Sequence, residues 1–118
     1  MTVSEFYQAV AGDYADACSR FQNDETIKRF LKMLPKDNSM ELLTEAMQNA
    51  ETQQAFRGAH TLKGIALNLS LTALANACSA MTELLHGSTA LPAEATAAYD
   101  AVSREYAKVI KALEALDA

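Results

Sequence analysis

The 118-residue chain has no tryptophan, only two prolines, four glycines and two cysteines. Each shortage excludes something. So few Gly and Pro supply too few tight turns for a β-sandwich or a barrel. No apolar run approaches the length of about 18 residues that a membrane span needs, so no membrane partner is expected. The stretch from Met1 to Ala11 carries Glu5 and no basic cluster, and does not read as a secretory signal. Acidic residues outnumber basic ones, 15 to 10, for a net charge of −5. Basic residues never run longer than Lys28-Arg29, so the footprint of a nucleic-acid binder is missing. Cys18 and Cys78 sit in separate helical patterns. Two buried, reduced thiols of a cytoplasmic protein are the simplest reading, with a disulfide or a metal site as alternatives.

What is present is helix-forming. Half of the residues are hydrophobic but only 7% are aromatic, so the apolar mass is Ala, Leu, Met and Val. Thr2 and Glu5 have capping-box spacing and predict a helix at the N-terminus. Gly12-Asp13 interrupts it, and Asp13 can cap a second short helix to about Phe21. Asn23-Asp24 can cap a third, carrying Ile27, Phe30, Leu31 and Leu34, which Pro35 ends. Asn38 and Glu41 again have capping spacing, ahead of a helix through Leu42, Leu43, Ala46 and Met47.

A break near Ala50–Glu51 lets Thr52 cap a helix to Leu69, whose core stripe is Ala55, Ala59, Leu62, Ala66 and Leu69. A further helix from about Thr72 to His86 presents Leu74, Ala77, Cys78, Met81, Leu84 and Leu85, and Gly87 stops it. Pro92 stands at a first-turn position of the last helix. That helix runs to about Leu116 with Tyr99, Val102, Tyr106, Val109, Ile110, Leu113 and Leu116 inward. The fold class is therefore all-α: an antiparallel four-helix bundle with additional short N-terminal helices, in a single domain over residues 1–118.

His60 falls off the core stripe of its helix. It shares a row with Phe56, Arg57, Lys63, Gly64 and Leu67, at helical offsets of three, four and seven, so it is expected in water. A water-exposed imidazole titrates near ~6.5 and is largely neutral and nucleophilic at pH 7. Gly64 in mid-helix costs about 1 kcal/mol against Ala. It signals either clearance for another molecule beside the imidazole or close helix packing. Lys63 can bring an ammonium near the ring, which suits an anionic group such as phosphoryl. Phe56 and Leu67 on an exposed face suggest docking.

The string Ala59-His60-Thr61-Leu62-Lys63-Gly64, continuing Ile65-Ala66-Leu67-Asn68-Leu69, resembles the signature of histidine-containing phosphotransfer (HPt) domains, His-x-Leu-Lys-Gly on a helix of a four-helix bundle. The resemblance implies a phosphocarrier, not an enzyme, that relays phosphoryl between aspartates of receiver domains in multistep His–Asp signalling. By it, His60 is the phospho-acceptor, Lys63 balances phosphoryl charge, and Gly64 admits the receiver. Phe56, Arg57 and Leu67 would flank the docking surface. The partners would be receiver domains of response regulators and hybrid histidine kinases. The receiver would supply the Mg²⁺, so the chain needs no cofactor of its own, and a monomer is expected.

Two positions depart from the pattern. Ile65 stands where a small polar residue is common, and Ser70 where Gly is common. Ser adopts the left-handed conformation less readily than Gly. A tighter turn with Thr72 as the next cap is therefore expected.

Other readings remain. A helical module of the same fold could bind a kinase or receiver without carrying phosphoryl. Glu83 and His86 have the spacing of di-iron bundles, but such sites need a second pair, and Arg57 stands where its Glu would be. A zinc site from the two Cys and two His has no paired short spacing. His86 otherwise reads as a residue favourable to the dipole at a helix C-terminus.

Overall fold

The computed structural model describes residues 1–116, and the described chain is all-helical. Helices α1 (Val3–Ala9), α2 (Tyr14–Phe21) and α3 (Asp24–Leu31) are short. A 3-10 turn, Leu34–Lys36, leads to α4 (Ser39–Gln48), α5 (Thr52–Asn68), α6 (Thr72–Leu85) and α7 (Ala95–Leu116). The last four are the bundle. α5 packs on α4 and α6, and α6 packs on α7. The Thr44 hydroxyl and the Tyr99 phenol, 2.8 Å apart, tie α4 to α7. α1 lies against α7, α2 and α3.

Three caps form as their spacing predicts. Thr2 and Glu5 make the reciprocal capping box, Asp13 accepts from the Asp16 amide, and Asn23 accepts from the Thr26 amide. Other helix ends differ. α3 stops at Leu31, and Leu34 belongs to the 3-10 turn that contains Pro35. Pro35 therefore opens a tight turn instead of ending a long helix, since proline's fixed φ suits a first-turn position. Asn38 makes no side-chain cap. Asp37 replaces it, its Oδ1 accepting from the Ser39 amide at 2.8 Å. Thr52 and Thr72 are the first residues of α5 and α6 rather than their caps. Pro92 lies in the turn ahead of α7, where its carbonyl accepts from the Ala95 amide.

The shortage of glycine shows at the helix ends. Ala11, Ala50 and Ser70 take positive φ of 52°, 52° and 58°. After each, the next amide reaches back five residues: Gly12 to Tyr7, Glu51 to Ala46 and Leu71 to Ala66. These are Schellman closures built without glycine at the left-handed position, which costs roughly 1–2 kcal/mol each. Ser70 is the correction to the expected turn: it does adopt the left-handed form. Its neighbours explain how. The Ser70 hydroxyl donates to Asp16 Oδ2 at 2.7 Å, and its carbonyl accepts from the Asp13 amide at 2.9 Å. Gly12 lets the chains approach, because a Cβ there would stand 2.6 Å from the Tyr7 ring and 2.9 Å from the Ser70 carbonyl.

The core stripe of α5 is buried as predicted: Ala55, Ala59, Leu62 and Ala66 are fully enclosed, and Leu69 nearly so. Gly58 joins it, and a Cβ there would lie 3.1 Å from Leu43 Cα and Cβ. The small residues thus bring α4 close against α5. Leu84, Tyr99, Tyr106 and Ile110 are half-buried at the margin of the core.

Tyr7 is buried, and its hydroxyl donates to the Leu69 carbonyl at 2.7 Å. Replacing it by Phe leaves that carbonyl without this donor. A loss of about 1–3 kcal/mol is expected, read as a lower urea midpoint with unchanged slope.

Cys78 is buried, whereas Cys18 is only half-buried, which corrects the expectation of two buried thiols; both are free. Burial pushes the Cys78 thiol from its ordinary 9.0 up to about 12. Two consequences follow from that shift. At pH 8 Ellman's reagent should label at most Cys18 in the native protein and both thiols in denaturant; native labelling of Cys78 would contradict the burial. A thiol whose folded value is raised favours unfolding once the unfolded chain ionises. Stability should therefore fall as pH rises from 9 toward 12, and Cys78→Ala should blunt that fall even if it lowers stability at pH 7.

Candidate functional site

α5 holds the site. Its buried face carries Ala55, Gly58, Ala59, Leu62 and Ala66. His60 lies about 140° round the helix from the centre of that face and is exposed to water. His60 stands at the middle of α5. Every backbone amide around it is used inside the helix, so the local backbone offers an incoming anion no free donors. Charge on that anion must be met by side chains or by a partner.

Of the expected residues, Phe56 meets this ring, while Arg57, Lys63, Gly64 and Leu67 follow on the same helix. Phe56, one turn before, stacks on the imidazole with centroids 5.9 Å apart and planes 8° from parallel. Arg57 is exposed. Lys63 is half-buried, not fully exposed as expected. Its aliphatic stem can lie along the helix surface while the ammonium stays in water. It forms no ion pair among the described residues. Leu67, two turns on from His60 along the same face, is 53% exposed.

The two readings of Gly64 separate here. A Cβ built on Gly64 meets nothing within 4 Å. Gly64 is therefore open space beside the imidazole, and close helix packing belongs to Gly58 instead. The unusual Ile65 lies about 140° round the helix from His60. It is half-buried and lines a groove with Phe30, Met33, Leu34 and Leu69. It serves the flank of the bundle and leaves the His60 face unchanged.

The end of α5 is held from outside the bundle. Arg20 Nη1 donates to the carbonyls of Leu67 and Asn68, both at 2.7 Å, and Arg20 also pairs with Asp16 at 3.2 Å. With the Tyr7 hydroxyl on the Leu69 carbonyl, two side chains from α1 and α2 meet three of the last carbonyls of α5, and the Ser70–Asp16 bond ties the following turn to α2.

A family model described as Hpt domain matches residues 25–118. The chain belongs to the Hpt domain family. Hpt domains work in two-component phosphorelays with receiver domains and kinases, as phosphoryl carriers rather than enzymes. No curated protein and no solved structure matches the chain. In this Hpt domain, α1 and α2 precede the matched segment, yet they supply Tyr7, Asp16 and Arg20 to the end of the histidine-bearing helix. Sequence reasoning missed that clamp, because nothing in the spacing of α2 announces a contact some fifty residues onward.

It also missed His86. His86 caps α6, one residue beyond the helix end, and its ring lies 5.7 Å from the Phe56 ring at 51°. No spacing rule places a C-cap of one helix against the exposed face of its neighbour. Among the described residues, no group of three or more His, Cys, Asp or Glu is placed to hold a metal. Nor is any described helix long and apolar enough to cross a membrane.

Proposed function

We propose that this Hpt domain relays phosphoryl between receiver-domain aspartates through His60. The observation that carries the reading is an exposed imidazole in mid-helix with open space beside it at Gly64. The lone pair of the solvent-facing ring nitrogen attacks phosphorus of an aspartyl phosphate. The N–P bond forms as the P–O bond to the aspartate breaks, and the bonding pair stays on the carboxylate oxygen. The ring's other nitrogen keeps its proton, so the phosphorylated imidazole carries a positive charge beside its dianionic phosphoryl group. Running the same step backward passes the group to a second aspartate.

The Lys63 ammonium offsets phosphoryl charge, a role its unpaired state suits. Phe56, Arg57 and Leu67 flank the surface on which the receiver docks. Mg²⁺ belongs to the receiver's site, and the chain itself needs no cofactor. The relay works in the cytoplasm, between response regulators and hybrid histidine kinases, with the carrier as a monomer in a single domain.

The test charges the receiver domains of the same genome with acetyl phosphate and Mg²⁺ and mixes each with the protein. Label that is acid-labile and base-stable supports the reading. Receiver binding without label would leave a docking module of the same fold.

A further inference from the structure

An exposed histidine on a helix changes rotamer on the picosecond to nanosecond scale unless something holds it. In-line attack on phosphorus needs the nitrogen lone pair aimed at the phosphorus atom, with the reacting atoms roughly 3–3.5 Å apart. Some group must therefore restrict the His60 ring. No hydrogen-bonding partner of its nitrogens does so among the described residues. The aromatic neighbours remain.

Phe56 lies parallel to His60, 8° off with centroids 5.9 Å apart, within the range of aromatic pairs. Phe56 is itself only half-buried, so its own ring needs support. His86 gives that support from α6, at 5.7 Å. The His86 backbone is fixed: its amide donates to the Thr82 carbonyl at 3.0 Å, and Gly87 turns the chain away with φ of 74°. Leu85 and His86 wall the same hollow as Phe56.

We infer that Phe56 and His86 are positioning residues: His86 braces the Phe56 ring, which in turn aims the His60 imidazole for transfer. This rests on the phosphorelay reading and adds a role for α6 to it. His86 acts through its ring packing, so an aromatic substitute should serve, and a direct docking contact is the rival explanation. The inference says nothing of which receiver docks.

The test compares wild type, His86→Ala, His86→Phe and Phe56→Leu, each checked by circular dichroism. Proton–carbon spectra follow the His60 ring protons, which the Phe56 ring current shifts away from their free-imidazole positions. Transfer from a phosphorylated receiver gives kcat and KM. Phosphoramidate, a small donor that needs no docking, gives a control rate.

In His86→Ala, the His60 resonances should move toward those of a free imidazole. Its kcat should fall by about two- to tenfold, the size of an aromatic pair, with KM unchanged and phosphoramidate labelling unaffected. His86→Phe should restore both readouts, and Phe56→Leu should lose the shift entirely. The inference is overturned if His86→Ala leaves the His60 resonances and kcat unchanged, or if it raises KM alone. Absence of transfer to wild type from every receiver would instead sink the relay reading, while the spectra would still decide whether the stack exists.

Discussion

His60→Gln is expected to remove all phosphoryl label while the protein stays folded. His60 is exposed and its side chain contributes no core packing. Surface substitutions of this kind usually change stability by no more than about 0.5 kcal/mol. The one interaction lost is the stack on Phe56, roughly 0.5–1.5 kcal/mol for an aromatic pair. Gln keeps hydrogen-bonding groups of similar reach but has no ring nitrogen lone pair to form an N–P bond. Label from a charged receiver should drop to background, with helical content by circular dichroism within error of wild type. Equal label on both proteins would move the acceptor elsewhere, and the remaining His86 would be the first residue to replace.

The glycines of α5 give the second large effect, because the same substitution at two positions should do opposite things. Gly64→Leu adds a side chain where a Cβ meets nothing within 4 Å. The helix should gain roughly 0.8–1 kcal/mol from better propensity, seen as a higher urea midpoint. Receiver-dependent transfer should nevertheless fall by about 100-fold or more, since misplacing reacting groups by 1 Å has that consequence. Phosphoramidate labelling of His60 should persist, which separates blocked docking from a damaged acceptor.

Gly58→Leu puts the same atoms against Leu43, whose Cα and Cβ are already 3.1 Å from an ideal Cβ and whose N is 3.2 Å away. Backbone cannot yield as a side-chain tip can, and overpacking of this kind costs about 1–3 kcal/mol or more. Gly58→Leu should therefore destabilise strongly while Gly64→Leu stabilises. If both variants melt alike, the assignment of the two glycines to packing and clearance is wrong.

Much of this was legible in the chain itself. The 3.6-residue period placed the buried row of α5 and, by subtraction, put His60 in water, because a helix has only one core face. Thr2, Asp13 and Asn23 announced three helix starts through local hydrogen bonds that need no distant partner. Where the neighbourhood was not local, spacing misled. Asn38 looked like a cap, but Asp37 reached the amide first. Ser70 looked less suited than Gly to a left-handed turn, and it takes one where Asp16 and Asp13, far back in the chain, bond to its hydroxyl and carbonyl.

The exposure of His60, the helical class and the order of the bundle helices were thus legible from composition and periodicity, since each depends on contacts within a turn or two, while the phosphotransfer motif was legible by its resemblance to a known signature. Only the folded chain decided which glycine packs and which gives clearance, what grips the end of α5, and which ring leans on Phe56. Those depend on where one helix lies against another, and side-chain spacing within a single helix carries no record of the neighbour's position.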